Sequence, residues 1–557
     1  MQNMPKDMAA AWLMIGEIDF ASGRWAEAQN ELQQYLQAAE KPISPDSVLV
    51  KVAIAQQKQD KNSDAIATYG RVMREFPKSE YWAQSAFEHG QLQLQAKDAD
   101  GARESFAKLV DNAPDSTYVP HALCHLAAGA IEDGKIGEAV EMYRRAASMT
   151  KDPELHAQAT YNMGMALLSL KRYDEAAQTL NEYLQAHPDR PEAATARAQL
   201  AIALARTDKC DEALKQMTTV LSDGGTSLDG QLVSSMLYEQ AWCLKKSGKS
   251  DDAAQAYRTL LKRPDVDPSL RSHALLELAE LDVTAKRNDA AVESLKSVLA
   301  NETGLTPDVK EQALYRLGMG LRDMGKTAEA SDAFAKFVSE FSNSDLATSA
   351  RFAAGEGYFS LNQPAKAIEF LKPLADANVD KQWRGPALLR LGECAAQVQD
   401  WGMSRSAYES YLKAYPDSDL WFHARFGLGW ALENTDQYDQ AIEQYKAVTD
   451  KHQGATAARA QFQMGECLFA QKKMDDALRE FLKVDILYNV PEWAAAGLYE
   501  AGRCLEQMQK PAEAKAQYAM LVKKYPETKW AKLVTENGSS NGSGGGSGGT
   551  NGSAGQN

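Results

Sequence analysis

The residues of this chain with the most chemical potential by type and spacing are His121, Cys124 and His125, in the run His121-Ala-Leu-Cys124-His125. On a helix, histidines four apart share a face and the cysteine at the third position lies close to it, a donor set that a transition-metal ion could use. No H-E-x-x-H is present, and no third ligand can be named, so ordinary helix packing is the competing reading. The six cysteines contain no C-x-x-C spacing. They read as small buried hydrophobes, which lean only mildly toward a reducing compartment. No nucleophile, base and orienting group fall into an arrangement for covalent catalysis, so neither an enzymatic reaction nor a cofactor is expected.

The elements that would position these residues are set by a single rhythm. Fourteen small residues recur as anchors: Gly16, Ala53, Gly90, Ala127, Gly164, Ala201, Ala241, Ala279, Gly318, Gly355, Gly392, Gly429, Gly465 and Gly502. Twelve positions after each stands another small residue, such as Ala102 or Ala441, and four further on a bulky one, such as Phe106 or Tyr445. Nine of the thirteen intervals are 37 residues, as from Gly16 to Ala53. Each unit reads as two amphipathic helices joined by a short polar turn, with the small residues where the helices cross. Pro77, Pro114, Pro188, Pro416 and Pro526 fall where second helices should end, while Pro364 and Pro511 suit the first turn of a second helix. The runs Gly318-x-Gly320 and Gly355-x-Gly357 coincide with anchors inside helices, which removes them as phosphate-binding loops. Cys243, Cys394, Cys467 and Cys504 share one repeat position, and helix spacing of about 10 Å would keep Cys467 and Cys504 too far apart for a disulfide.

Leu314-Tyr-Arg-Leu317-Gly318, Leu388-Leu-Arg-Leu391-Gly392 and Tyr161-Asn-Met-Gly164, followed by pairs such as Ala102 with Phe106, resemble the tetratricopeptide repeat (TPR) family over about residues 9 to 535. The resemblance implies an all-α fold, an α-α superhelix of about fourteen helix-turn-helix repeats, and a noncatalytic role in binding proteins. The unit is longer than the usual period of about 34. Endings such as Phe76-Pro77-Lys78-Ser79 and Tyr415-Pro416-Asp417-Ser418 are similar to the TPRs of bacterial cell-envelope proteins, including the Tol-Pal-associated periplasmic protein and the assembly lipoprotein BamD. That likeness implies a scaffold or adaptor in envelope assembly. A helical-repeat RNA binder, or the interaction part of an enzyme whose catalytic domain lies elsewhere, are the other classes in play.

The 557 residues carry a formal net charge of -15, with a pI near 5.2. That balance opposes nucleic acid or anionic membrane as the main partner. No stretch approaches the roughly 20 apolar residues of a membrane span. Met1 to Met8 lacks the charged and apolar regions of a signal peptide, which makes the cytoplasm the default and the periplasm the alternative if an upstream signal has been lost. An uncapped first repeat could support self-association. The intervals of 40, 38 and 39 residues all lie between Ala201 and Gly318, where Gly224-Gly225, Pro264-Asp-Val-Asp-Pro268 and Gly304-Leu-Thr-Pro307 take up the extra length. The expected organisation is an N-terminal arm over 9–221, irregular repeats over 222–309 with a change of curvature, a C-terminal arm over 310–535, and a disordered Gly/Ser/Asn tail over 536–557. Residues 528–535 read as a partial capping helix before that tail.

A ligand-binding face follows from helical phase. Positions three before, one after and four after each anchor share a side of the first helix, and in TPR proteins this side lines the concave surface. It presents Tyr238, Trp242 and Lys245; Phe352, Glu356 and Phe359; Leu389 and Glu393; Phe426, Trp430 and Glu433; Phe462, Glu466 and Phe469; and Tyr499, Arg503 and Glu506. Aromatics with carboxylates suit an extended peptide of apolar and partly basic character. Packing between successive first helices is the alternative for the aromatics, whereas glutamates that resist unpaired burial favour an open face. Trp82, Trp383, Trp421, Trp493 and Trp530 begin first helices and are expected to pack on the preceding repeat.

Overall fold

The computed structural model describes residues 6–222 and 228–540. These form twenty-nine α-helices and two short 3-10 turns, with no strand among the described residues. Within each of two compact units, helices adjacent in the sequence pack against one another, as the repeat predicts. Two compact units divide between Ala274 and Leu275. The Gly224-Gly225 segment and the stretch 541–557, which carries most of the expected tail, lie outside the described residues. The last helix, Lys529–Ser540, begins as anticipated but runs four residues beyond Glu536, into the segment assigned to that tail.

The anchor rhythm has a direct steric cause. A Cβ built on Gly429 would lie 2.6 Å from Cε1 of Tyr445, and one on Gly502 would lie 2.3 Å from Cε1 of Tyr518. The bulky residue sixteen positions on therefore rests on the bare backbone of the glycine anchor itself. All fourteen bulky residues except half-buried Tyr518 are buried, and they form the spine of each core.

Turns repeat as strictly as crossings. The residue seven after every anchor has positive φ, from Gly23 at 72° to Gln509 at 56°. The next residue's N–H donates to the carbonyl five back, as in Arg24 to Asp19 at 2.9 Å and Lys510 to Leu505 at 2.8 Å. This is the left-handed helix stop that satisfies the last carbonyls before the chain reverses. The prolines act as the sequence indicates: second helices end at Glu75, Asn112, Ala186, Ala414 and Lys524, each two residues before its proline, while Pro364 and Pro511 open theirs. Where the spacing slips, first helices such as Gly230–Lys246 and Pro307–Asp323 run 17 residues, and a 3-10 turn at Glu302–Gly304 precedes the second of these.

Candidate binding face

The aromatic residues three before the anchors are packed on two sides. Within their own repeats, Tyr238 meets Tyr257 at 5.6 Å between ring centroids, Phe426 meets Tyr445 at 5.5 Å, Phe462 meets Phe481 at 5.3 Å and Tyr499 meets Tyr518 at 5.8 Å. The tryptophan opening the next first helix closes over the other side: Trp383 on Phe352 at 5.6 Å, Trp493 on Phe462 at 5.4 Å and Trp530 on Tyr499 at 5.2 Å. Phe462 keeps only 7% of its surface exposed. These rings are walls between repeats, and Trp383, Trp493 and Trp530 pack on the repeat before them, as Trp82 does with its Nε1 donating to the Met73 carbonyl at 3.1 Å.

Glu356 and Glu393 are not the unpaired carboxylates that the sequence suggested. Arg390, two residues before its anchor, reaches back to Glu356 of the preceding repeat, with Nε 2.6 Å from Oε1 and Nη2 3.1 Å from Oε2. Its third nitrogen bonds Glu393, and its guanidinium carbon sits 4.1 Å from the Phe359 ring centre. Three of the expected residues, Glu356, Glu393 and Phe359, are thus fastened by one arginine that phase alone did not single out. Burial pushes the Glu393 carboxyl above the usual carboxylate range, with Arg390 pulling it back. Glu466 departs further: burial first, then the facing Glu500 and Glu433, push its carboxyl up to about 8. Its Oε1 is buried without a hydrogen-bond partner.

A second cationic centre lies on three successive first helices, Trp421–Glu433, Ala455–Ala470 and Pro491–Gln507. The Arg459 guanidinium carbon stands 4.7 Å from the Phe426 ring centre, 4.8 Å from Trp430 and 5.6 Å from Trp493. No carboxylate ion pair holds it, and its Nε is buried without an acceptor. The nearby Glu433 is occupied: Tyr445 donates to it at 2.6 Å and Gln463 at 3.1 Å. Burial lowers the Arg459 guanidinium below its ordinary value, so the site holds a partly desolvated cation whose buried Nε has no acceptor. Arg503 instead pairs with Glu500 at 2.8 Å and lies 5.3 Å over Phe469. In the first unit, Trp242 carries Lys246 at 5.1 Å over its ring. Phase identified Phe426 and Trp430 but missed Arg459, which sits six before its anchor on another helix; a lone arginine opposite an aromatic pair was the available signal.

The proposed metal trio is engaged in packing. His125 stacks on Phe106 at 5.0 Å and 8°, with its Nε2 2.9 Å from Gln91, and His121 lies 5.7 Å from Phe87. Cys124 is buried, and among the described residues no group of three or more His, Cys, Asp or Glu side chains could hold a metal ion. All six cysteines are free and buried. Among the described residues, no helix is long and apolar enough to cross a membrane.

Among solved structures, the chain is similar to one described as the MamA protein, at 18% identity over 32% of this chain and 92% of that one, with a TM-score of 0.27. It is also similar to YrrB, described as a TPR protein with an unusual peptide-binding site, at 15% identity over 39% and 97% of the two chains, with a TM-score of 0.29. No curated protein matches it. Family models do. Tetratricopeptide repeat models match residues 130–200, 238–305, 426–487, 312–344, 386–418 and 496–528, and a tetratricopeptide repeat-like domain matches 46–150. Together these spans take in most of the sequence, in register with the stacked helix pairs and their glycine crossings, and the chain belongs to the tetratricopeptide repeat family.

Proposed function

We propose that this protein is a noncatalytic interaction scaffold that holds an extended segment of a protein partner along its first helices, with Arg459, Phe426 and Trp430 as the anchor in the C-terminal half. The observation that carries this reading is the Arg459 cation, walled by three aromatic rings yet without a carboxylate of its own. The rings already hold a cation, so a basic partner residue would meet repulsion there. The favoured segment is apolar and offers acceptors, either peptide carbonyls or a carboxylate. This changes the charge expected of the partner, while Tyr238 and Trp242, beside Lys246, supply a separate contact on the first unit. The long repeat unit with aromatic-Pro-x-Ser endings supports placing the scaffold in bacterial envelope assembly.

Selection of random peptides on the full chain tests the proposal. Recovered sequences should be enriched in acidic and apolar residues, and Arg459→Gln should weaken their binding by at least about tenfold, the order expected for a partly desolvated charge-assisted contact. Helicity and the first half's melting should be unchanged. Peptides rich in lysine or arginine, or binding indifferent to Arg459→Gln, would overturn the assignment.

A further inference from the structure

At four junctions between successive first helices, the residue one after an anchor meets the residue two before the next anchor as an attractive pair. Glu17 faces Lys51, Glu280 faces Arg316 at 3.0 Å, Glu356 faces Arg390 at 2.6 Å, and Gln91 faces His125 at 2.9 Å. A fifth junction places like groups at the same two stations. Between the helices Ala455–Ala470 and Pro491–Gln507, these two stations are Glu466 and Glu500, both carboxyls.

We propose that Glu466 and Glu500 hold a single proton across this junction, so that the C-terminal helices stay closed while it is bound and loosen when it leaves. Geometry decides which carboxyl keeps it. Glu500 has a counter-charge, since Arg503 donates to it at 2.8 Å. Glu466 has none, and its Oε1 contacts neither solvent nor a hydrogen-bond partner. Both neighbouring first helices add a carboxyl, Glu433 from Trp421–Glu433 and Glu500 from Pro491–Gln507, where burial also keeps the Cys504 thiol neutral, leaving Arg503 as the opposing cation. On its own helix stand Cys467 and Arg459, the latter directed at the aromatic rings. The helix Tyr438–Lys451 supplies Tyr445, whose hydroxyl is committed to Glu433, and Met474–Leu487 supplies Glu480, which is held by Gln461 and Lys483. Two ionised carboxylates cannot stably face each other in such a site, so Glu466 is the neutral acid.

The pH dependence has a definite sign. The folded chain binds the proton more tightly than the unfolded one, whose glutamate titrates near about 4.3. The stabilisation is complete below that value and is lost as pH rises through about 8. The junction therefore weakens on the alkaline side, while the four attractive junctions do not depend on a bound proton in this way.

Hydrogen exchange on the full chain between about pH 6 and about pH 9, corrected for the intrinsic rate, tests this. Opening of the helices Pro491–Gln507 and Pro511–Lys524 should increase with pH, approaching about tenfold per unit for a single linked proton. Glu466→Gln, which is isosteric and permanently neutral, should flatten that dependence. Glu500→Lys restores the opposite-charge arrangement of Glu17 and Lys51 and should flatten it too, which keeps the test valid if the first variant folds poorly. A pH-independent wild type, or a slope that survives in a folded variant of either kind, would overturn the proposal.

Discussion

Gly429→Ala isolates the force that sets the repeat. In an ordinary helix interior, the substitution stabilises by about 1 kcal/mol, because alanine loses less backbone entropy. Here the new Cβ would stand 2.6 Å, 2.9 Å and 3.0 Å from three carbons of the Tyr445 ring. That ring is fully buried and its hydroxyl is fixed to Glu433 at 2.6 Å, so it has no free direction in which to retreat. Overpacking of this kind costs about 1–3 kcal/mol. Loosening the hydroxyl from a buried carboxyl adds part of the about 1.5–3 kcal/mol typical of bonds to charged groups. Other repeats bound the sum from above: Ala53 and Ala127 are anchors opposite Tyr69 and Tyr143, so a crossing built around alanine does accommodate a tyrosine. The net expectation is a loss of about 1–2 kcal/mol, concentrated in the helices Trp421–Glu433 and Tyr438–Lys451. Gly137→Ala is the control, since its Cβ would meet nothing within 4 Å, and it should be neutral or slightly stabilising. Stacked repeats need not unfold in one step, so local hydrogen exchange should accompany urea melts. If Gly429→Ala proved as stable as wild type while the control behaved as stated, the close crossing could not be what selects glycine.

Gln399 occupies the left-handed turn station with φ at 60°, where glycine carries less strain, so Gln399→Gly should raise stability by about 0.5–1 kcal/mol in the same assays. On the acid side, burial holds His89, His125 and His423 below the ordinary histidine value. Their stabilisation is present above about pH 6.5 and is lost as pH falls through the folded values. Melting temperature should therefore drop between about pH 6.5 and pH 5, less steeply in His125→Gln than in the wild type; parallel slopes would exclude His125 as a contributor.

The parts of this molecule legible in its sequence are those fixed within one repeat. Gly429 and Tyr445 lie sixteen residues apart on adjoining helices, and the proline stops need only local backbone geometry, so periodicity reveals both. The turn station was equally regular, but only Gly23, Gly134, Gly248 and Gly325 advertise it; Asp, Asn, Lys and Gln hold the other positions at positive φ. Between repeats, legibility fell. Helical phase assigned Phe462 and Tyr499 to an outward face because it describes one helix at a time, whereas Trp493 and Trp530 of the following helices cover them. Glu356 looked unpaired for the same reason, its partner Arg390 lying 34 residues on.

Three arginines show how the same side chain acquires different work from its neighbours. Arg390 has two carboxylates and straps two repeats together, and the aromatic ring beneath it only seats the guanidinium. Arg503 has one, and neutralises the Glu500 charge that would otherwise face Glu466 from across the junction. Arg459 has rings on its faces and no carboxylate, because Glu433 is taken by Tyr445 and Gln463. Its cation is thereby stabilised enough to persist half-desolvated, yet its donors stay uncommitted. A strap resists exchange with an outside group, since displacing it would strand a buried charge, whereas an uncommitted donor gains from one. On the function proposed above, a partner would be drawn to Arg459 rather than to Arg390, and the aromatic residues around it would contribute by holding the arginine in place.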